Sequence, residues 1–308
     1  MRKYAPISDF SFYMTKILFH FLLLIYLLPI VTVAQQVERM VLGKVQDSRL
    51  NELSGLVASR KYQGLFWTHN DSGDSARFFL IDRDAKLKGS YSLEDIEAQD
   101  IEDIATFSQD GKHFLLLADI GDNRAARQQI RLYIVEEPSF VEGVEHYRIA
   151  RDEVKVLSLT YADKPRDAEA IFVDPKDLTV YLISKRDFHV GVYPFDLVQA
   201  ISSTEPVVLK KAIELPLTFI TAADISADGN YILMKNLTEV YRWQRTGNKG
   251  ILETLKGEFV KLPYQPEPQG EAICFGNDSD IFYSISERPL GLDAYLYEYR
   301  VLKGATLE

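Results

Sequence analysis

Five groups of similar residues recur along the chain at intervals of about fifty residues, and this repeat constrains the fold more than any single motif. In each group a polar or acidic residue stands at or near the start of a short apolar run. The groups are Ser54-Gly55-Leu56-Val57, Glu102-Asp103-Ile104-Ala105, Glu169-Ala170-Ile171-Phe172, Ala223-Asp224-Ile225-Ser226 and Glu271-Ala272-Ile273-Cys274. Their first residues are 48, 67, 54 and 48 positions apart. A period of roughly 40 to 50 residues is typical of β-propellers, in which each repeat is a four-stranded blade.

Strands can be assigned around each group, because runs rich in Val, Ile, Tyr, Phe and Leu alternate with Gly, Asp, Asn and Pro. A second strand follows each group, at residues 65–69, 114–118, 180–184, 231–234 and 281–286. Helix is expected only as one or two turns within residues 195–202. We therefore predict an all-β fold: a β-propeller of five blades, or of six if two degenerate repeats have been merged.

The last repeat ends after its third strand, at residues 294–302, and leaves the edge of its sheet without a partner. Residues 37–44 have strand character and belong to no other repeat. Because an unpaired edge invites aggregation, we predict that residues 37–44 supply the missing fourth strand and close the ring. Residues 35–308 would then form a single propeller domain.

The first 34 residues differ in kind from the rest of the chain. Lys16 precedes an apolar run at residues 17–34, which ends in Thr32-Val33-Ala34 before polar Gln35. This pattern is typical of a cleaved signal peptide, and an uncleaved N-terminal anchor is the alternative. We expect the propeller to be periplasmic or secreted.

The predicted domain is strongly acidic. The chain carries a net charge of −10, and removing residues 1–34, which hold three basic residues and one acidic residue, leaves −12. Binding of nucleic acid, or of a membrane beyond the signal segment, is therefore not expected, since both require clustered positive charge. The one cysteine, Cys274, cannot form an internal disulfide and is expected to be a buried apolar residue. We expect a monomer.

The repeat also predicts a site. The first strand of every blade lines the central channel, so residues at the start of these strands converge on the axis. The predicted ring at one mouth of the channel consists of Glu102, Glu169, Asp224 and Glu271. Like charges brought this close need a counter-ion. Because oxygen ligands favour a hard cation, the predicted cofactor is a divalent cation, with Ca²⁺ the best fit.

Two Asp-x-Gly-Asp turns, at residues 71–75 and 119–123, follow the second strands of adjacent blades. Asn70 and Asp119 stand at their starts and are expected to add metal ligands at the same mouth. If the site is catalytic, His69 and Asp224 are the residues expected to accept a proton.

Basic residues offer a second interpretation of the ring. Arg186 and Arg288 lie 17 positions after the starts of their groups, as do Asp71 and Asp119, so these four are expected at equivalent positions. Together with Lys185, the two arginines can hold the phosphate or carboxylate of a substrate. They can equally neutralise the acidic ring without any metal, and the sequence leaves both interpretations open.

Several strings of residues resemble those of a known group of proteins. They are Glu52-x-Ser54-Gly55-Leu56, Trp67-x-His69-Asn70-Asp71-Ser72-Gly73, Glu102-Asp103-Ile104-Ala105, Asp119-Ile120-Gly121-Asp122-Asn123, Arg166-Asp167-Ala168-Glu169-Ala170 and Gln269-Gly270-Glu271-Ala272. The chain resembles exported bacterial β-propellers related in outline to the SdiA-regulated, phytase-like and gluconolactonase-type (TolB-like) propellers. The resemblance extends over nearly all of residues 35–308.

This resemblance implies a cation on the channel axis, which gluconolactonase-type propellers hold through a Glu, an Asn and an Asp. The candidates for the Glu are Glu102, Glu169 and Glu271; those for the Asn are Asn70 and Asn236; and Asp224 is the candidate Asp. Phytase-like propellers hold several calcium ions in an acidic channel that receives phosphate esters. This chain lacks the dense run of Lys and Arg that a highly phosphorylated substrate requires, and both kinds of relative usually have six blades.

Two functions are consistent with these observations. In the first, an exported propeller binds a divalent cation and a small oxygen-rich ligand, such as a carbohydrate or a phosphoester, at the channel. It could then act as a metal-dependent ester, lactone or phosphoester hydrolase, with Asp224 or His69 taking a proton from water. In the second, the propeller is a non-catalytic binding or scaffold module whose carboxylate–arginine ring is structural and whose partner is a protein.

Overall fold

The computed structural model describes residues 35–71 and 73–302; the predicted signal peptide, residues 1–34, lies outside the described residues. Across the described residues the strands, in chain order, are β1 (Val37–Lys44), β2 (Leu53–Ala58), β3 (Leu65–Asn70), β4 (Arg77–Asp82), β5 (Leu87–Leu93), β6 (Ile101–Gln109), β7 (Lys112–Asp119), β8 (Ile130–Glu136), β9 (His146–Ile149), β10 (Lys155–Tyr161), β11 (Ala168–Val173), β12 (Thr179–Ser184), β13 (Val190–Asp196), β14 (Val207–Leu209), β15 (Ile213–Leu215), β16 (Ala222–Ile225), β17 (Tyr231–Lys235), β18 (Val240–Gln244), β19 (Val260–Leu262), β20 (Ala272–Phe275), β21 (Ile281–Ile285) and β22 (Tyr295–Val301). The short helices there are α1 (Leu197–Ser202), α2 (Ile251–Lys256) and the 3-10 turns Arg151–Glu153 and Pro289–Gly291.

The strands form five sheets, which are the blades of a five-bladed β-propeller. From the axis outwards, blade 1 contains β2, β3, β4 and β5; blade 2 contains β6, β7, β8 and β10; blade 3 contains β11, β12, β13 and β15. Blade 4 contains β16, β17, β18 and β19, and blade 5 contains β20, β21, β22 and β1. The inner strands contact one another in the ring order β2, β6, β11, β16, β20 and back to β2. The predicted all-β, five-bladed fold is confirmed.

A separate hydrophobic cluster fills each of the five interfaces between neighbouring blades. The alternation of side chains along an inner strand produces this arrangement, because successive residues point to opposite faces of the sheet. In blade 1, Leu56 packs toward blade 5 and Val57 packs toward blade 2. In blade 3, Ile171 packs toward blade 2 and Phe172 packs toward blade 4. Cys274 is buried in the interface between blades 5 and 1, as expected.

The ring closes as predicted, through the N-terminal strand. β1 pairs antiparallel with β22 from Val37 opposite Val301 to Lys44 opposite Tyr295, so the last blade takes its outer strand from the start of the domain. The pairing is irregular at Gly43, where a Cβ would lie 2.0 Å from the backbone of Asp84 in blade 1. Glycine is required there because the two backbones approach too closely for a side chain.

Some elements were not predicted. β9, in the connection between β8 and β10, pairs parallel with β5 and adds a fifth, outermost strand to blade 1. β14, in the connection between β13 and β15, pairs parallel with β10 and adds a fifth, outermost strand to blade 2. Helix α2 has no counterpart in the predictions, whereas α1 falls within the predicted turns at residues 195–202, with Asp196 as its N-cap. Among the described residues, no helix has both the length and the apolar character needed to cross a membrane.

Candidate functional site

The side chains at the channel mouth come from irregular positions at the start of the inner strands. In blades 1, 2 and 3 the pairing of the first two strands skips one residue, and the skipped residues are Ser54, Glu102 and Glu169. In blade 5 Glu271 directly precedes β20, and in blade 4 the corresponding residue is Thr221, which directly precedes β16 and whose backbone N–H donates to the carbonyl oxygen of Lys235, opposite Ala222. A β-bulge removes its extra residue from the regular alternation of side chains, and bulges next to functional sites aim a side chain in this way.

Seven acidic residues meet at this mouth, and we name them the acidic cup: Asp71, Asp100, Glu102, Asp167, Glu169, Glu271 and Glu287. They form three overlapping groups, and within each group one oxygen atom per residue lies within 4.8 Å of the others. The three groups are Glu102 with Asp167 and Glu169, Asp71 with Asp100 and Glu102, and Asp71 with Glu271 and Glu287. Three of the four predicted ring residues therefore belong to the acidic cup.

Lys185, directly after β12 in blade 3, places a cation inside the acidic cup. Its ammonium donates a hydrogen bond to Glu169 Oε1 and lies 3.8 Å from Glu271 Oε1. Burial acts to lower the pKa of Lys185, but Glu169 and Glu271 outweigh it and hold the pKa above its ordinary value. At the rim, Arg186 Nε lies 2.6 Å from Asp167 Oδ2. The acidic cup thus contains part of its own neutralising charge.

The positive charges in the acidic cup are too few to balance its carboxylates, and the pKa values of three of the glutamates are raised as a result. Burial, together with the charge of Glu271, raises the pKa of Glu169 to about 8, although Lys185 counteracts the shift. Burial and the same Glu271 raise the pKa of Glu287 to about 8. Burial and the charge of Glu169 hold the pKa of Glu102 well above its ordinary value. The cup would gain stability from a further positive charge.

Each of the three acidic groups includes a buried carboxylate oxygen that has no hydrogen-bond partner among the described residues. These atoms are Glu169 Oε2, Asp100 Oδ1 and Glu287 Oε1. The exposed fractions of Glu169 and Glu287 are only 3% and 5%. An unpaired buried carboxylate oxygen is unfavourable unless an ion, a water molecule or a ligand satisfies it. The three atoms therefore mark positions where a ligand or an ion fits.

Gly121, which follows β7 in blade 2, shows how tightly the backbone surrounds the acidic cup. A Cβ at this position would lie 2.1 Å from Glu102 Oε1 and 2.4 Å from Asp100 Oδ2. The backbone N–H of Gly121 donates to the carbonyl oxygen of Asp100 at 3.2 Å. Any larger residue would displace both carboxylates, so glycine is required here for space.

Asp224 lies three residues after Thr221, further along its strand than the ring glutamates, and it is not part of the acidic cup. Its Oδ1 accepts from the next backbone N–H, and its Oδ2 accepts from the N–H of Phe275 in blade 5 at 2.7 Å. Asp103 in blade 2 bonds in the same way to the N–H of Ile171 in blade 3, at 2.9 Å. A shift by an odd number of residues along a strand reverses the face on which a side chain lies, and Asp103 lies one residue after Glu102. Both aspartates join neighbouring blades, and the predicted metal-binding and catalytic roles of Asp224 stay predictions.

Residues that stand 17 positions after the start of their repeat group do not occupy equivalent positions after the second strands. Strand pairing places Asp71, Lys185 and Glu287 at one position. By the same criterion Asp119 lies one residue earlier, and Arg186 and Arg288 lie one residue later. The prediction that Asp71, Asp119, Arg186 and Arg288 are equivalent is therefore wrong, because the hairpin that joins the first two strands differs in length from blade to blade.

The cations predicted to bind substrate lie in different settings. Lys185 is inside the acidic cup, whereas the Arg186 side chain is 45% exposed at its rim. Arg288 is half-buried, and its backbone N–H donates to the carbonyl oxygen of Asn51 at 2.9 Å. Its Nε is buried and has no hydrogen-bond partner among the described residues. A role for these cations in substrate binding stays a prediction.

Asn70 and Asp119 are both held by bonds within the protein. Asn70 Nδ2 donates to Asp74 Oδ2 at 2.8 Å. Asp119 is fully buried, pairs with Arg127 at 2.8 Å and accepts from the backbone N–H of Asp100 at 3.0 Å. Asp119 therefore positions the loop that carries a member of the acidic cup, and metal ligation by either residue stays a prediction.

His69 is fully buried next to the inner strand of blade 1. Its Nδ1 lies 2.8 Å from the carbonyl oxygen of Asn70, and its Nε2 has no hydrogen-bond partner among the described residues. Burial lowers the pKa of His69 to about 4, so the ring is neutral at neutral pH. The bond to the Asn70 carbonyl requires the proton on Nδ1 and leaves Nε2 as an acceptor. Its role as a proton acceptor in catalysis stays a prediction.

Four residues of the acidic cup were not among the site residues predicted from the sequence: Asp71, Asp100, Asp167 and Glu287. Asp167 carried a usable signal, because it stands two residues before Glu169 at the start of an inner strand. Glu287 becomes equivalent to Asp71 only once the strands are paired. Asp100 carried the same signal as Asp167, because it stands two residues before Glu102 at the start of the inner strand of blade 2.

Comparison with known proteins gives no family. No family model matches the sequence, and no curated protein matches it. Among solved structures, the PQQ-bound form of aldose sugar dehydrogenase from Streptomyces coelicolor is similar at 12% identity, with a TM-score of 0.47. The match covers 87% of this chain and 99% of that one. At this level of similarity we argue nothing about function from it.

Proposed function

We propose that this propeller binds a divalent cation, with Ca²⁺ the best fit, in the acidic cup, and holds a small oxygen-rich ligand on that cation. One observation carries the proposal. Each of the three acidic groups contains a buried carboxylate oxygen without a hydrogen-bond partner among the described residues: Glu169 Oε2, Asp100 Oδ1 and Glu287 Oε1. Acidic clusters on their own are common, but unsatisfied buried oxygens within one need a ligand.

The distances within the acidic cup fit a hard cation. Ca²⁺ binds oxygen at about 2.3 to 2.6 Å, so two ligands on opposite sides of the ion are about 5 Å apart. The oxygens of each group lie within 4.8 Å of one another. Glu102, Asp167 and Glu169 are all buried and offer the most enclosed of the three sites. Ca²⁺ takes six to eight oxygen ligands, so three carboxylates leave positions for a ligand from solution.

The coordination positions of the cation that the three carboxylates leave open are the reason for proposing an oxygen-rich ligand. Hydroxyl, carboxylate and phosphate oxygens all complete the coordination of a hard cation. Hydrolysis of an ester, lactone or phosphoester would further require a proton acceptor near the ion, and His69 and Asp224 are the predicted candidates. An exported protein would meet Ca²⁺ at the concentrations that extracellular sites bind.

Calorimetric titration of Ca²⁺ into chelator-treated protein tests the proposal. We expect heat of binding and, at about 100-fold excess over Kd, stabilisation by about 2.7 kcal/mol, which raises Tm by several degrees. The variants Glu169→Gln and Glu287→Gln keep the side-chain volume but remove a charged ligand, and each should weaken binding at least tenfold. Glu136→Gln, an exposed glutamate that pairs with Lys112, is the matched control and should bind as the wild type does.

A second candidate function is a scaffold whose acidic cup is structural. The ion pair of Lys185 with Glu169 and its contact with Glu271 favour this alternative, because the protein itself supplies one cation. The titration separates the two candidates. If Ca²⁺, Mg²⁺ and Mn²⁺ all give neither heat nor a shift of Tm, the cation site does not exist and the scaffold function stands.

A further inference from the structure

Five exposed apolar side chains surround one side of the same channel mouth, and we name them the apolar arc: Phe188, Phe219, Leu237, Leu290 and Leu292. They lie in the β12–β13 loop, the β15–β16 connection, the β17–β18 turn and the β21–β22 loop. Because strands in a blade alternate in direction, these loops all emerge on the face where the inner strands begin. The apolar arc therefore spans blades 3, 4 and 5 beside the acidic cup.

The exposure of these side chains is unusual for the chain. Leu290 is fully exposed, Phe188 is 87% exposed and Phe219 is 49% exposed. The other large apolar residues that are exposed in the described part of the chain are aliphatic: Met40, Val41, Val141, Val144, Val198, Val208 and Val260. Both exposed phenylalanines thus lie in the arc. Clustered apolar side chains at the surface mark interaction sites, whereas isolated ones do not.

Backbone strain supports the same conclusion independently. Leu290 has a φ of 57° and Phe219 a φ of 53°, in the left-handed region that favours glycine or asparagine. A bulky residue there is unfavourable by about 1 kcal/mol or more, and burial offsets none of this for the fully exposed Leu290 and only part of it for Phe219. Strain of this kind persists where a side chain is needed for binding.

Hydrogen bonds tie the apolar arc to the acidic cup. The backbone N–H of Phe219 donates to the carbonyl oxygen of Lys185 at 3.0 Å, and Thr218 Oγ1 donates to the carbonyl oxygen of Asp187 at 3.2 Å. The loops that carry the two phenylalanines are therefore joined to each other and to Lys185, the cation of the cup. An occupant of the arc would lie directly next to the cup.

We propose that the apolar arc and the acidic side of this mouth form a docking surface for a protein segment in which a lysine or arginine is flanked by apolar side chains. Charge complementarity selects this occupant. On the other side of the cup, Glu52, Asp95 and Glu97 are exposed on blade 1 and its connection to blade 2, so a basic side chain is attracted there while its apolar neighbours cover the arc. An anionic lipid surface is disfavoured, because the same acidic residues repel it and because Arg186, the exposed cation two residues before Phe188, is already paired with Asp167 at 2.6 Å. The proposal does not depend on a bound metal.

Selection from a phage library of random seven-residue peptides tests this inference, with the protein in chelator and again in Ca²⁺. We expect enrichment of peptides that combine a basic residue with apolar neighbours. Fluorescence anisotropy of the enriched peptides should show at least tenfold weaker binding to Phe188→Ser and Leu290→Ser, and weaker binding to wild type as the salt concentration rises. Met40→Ser and Val208→Ser remove exposed apolar side chains from the outer strands of blades 5 and 2 and should bind normally.

Three outcomes would overturn the inference. One is the absence of any enriched peptide, and another is equal binding of the enriched peptides to Leu290→Ser and to wild type. The third is sedimentation with phosphatidylcholine–phosphatidylglycerol vesicles that Phe188→Ser abolishes, because it would identify a lipid surface as the occupant. The arc variants replace exposed residues, so we expect their melting temperatures to match that of the wild type, and circular dichroism checks that they are folded.

Discussion

Lys185 Nζ lies 3.8 Å from Glu271 Oε1, although the two residues belong to blades 3 and 5. Blade 4 lies between them and places Thr221 at the ring position, so that blade contributes no carboxylate there. The ammonium also donates to Glu169 of its own blade. Lys185 therefore occupies the acidic cup as a cation attached to the protein.

Replacing this internal cation should favour a metal ion. Lys185→Met removes the charge that repels and competes with a divalent cation, so we expect Ca²⁺ to bind at least tenfold more tightly in calorimetry. Without metal, the variant leaves buried carboxylates unpaired and should lose about 3 kcal/mol of stability at pH 8 and above. Lys211→Met, which removes a surface lysine paired with Glu214, is the control and should change neither quantity. Unchanged or weaker Ca²⁺ binding in Lys185→Met would contradict the prediction.

The stability of the metal-free protein should fall as the pH rises. The pKa of Glu169 and of Glu287 is raised to about 8 from an ordinary value of 4.5. The folded state therefore binds more protons than the unfolded state between these values, and stability is lost as the pH rises through that window. Saturating Ca²⁺ should flatten this dependence and release protons on binding. Urea unfolding across about pH 5 to 9, in chelator and in Ca²⁺, measures it; a stability that rises with pH in chelator would refute the assignment.

Asp103 and Asp224 should matter for stability and not for cation binding. Replacing either with alanine leaves buried backbone N–H groups unpaired, at a cost of about 1 to 3 kcal/mol for each donor. We expect Asp103→Ala and Asp224→Ala to lower the free energy of unfolding by about 2 to 5 kcal/mol, measured in urea, with Ca²⁺ affinity changed less than about twofold. If Asp224→Ala folds normally but no longer binds Ca²⁺, Asp224 is a metal ligand, as the sequence suggested.

Removing residues 35–44 should destabilise the whole propeller. The deletion removes β1 and leaves the edge of β22 unpaired from Tyr295 to Val301. We expect Tm to fall by roughly 10 °C or more, because every blade interface depends on the closed ring, and we expect self-association through the open edge. Differential scanning calorimetry and light scattering measure the two effects. Met40→Ser, which keeps the strand and changes an exposed side chain, is the control, and unchanged melting of the deletion variant would refute the role of β1.

The blades could be predicted because their signal is local. Each inner strand carries apolar residues on both faces, as in Leu56 and Val57, since each face packs against another blade. The turns between strands carry glycine and acidic residues for their backbone geometry. The added strands β9 and β14 escaped prediction because each is short and forms only against an existing blade edge.

The sequence by itself determined the propeller fold, the closing strand and the glutamates Glu102, Glu169 and Glu271, and it favoured five blades over six, because the repeat period and the side-chain alternation are properties of the chain alone. Only the tertiary structure decided which side chains share the mouth with them. Hairpin lengths and bulges displace residues from their expected positions, by three residues for Asp224 and by one for Lys185 and Glu287, and an odd displacement reverses the face of a side chain. That shift excludes Asp224 from the acidic cup and brings Lys185 and Glu287 into it.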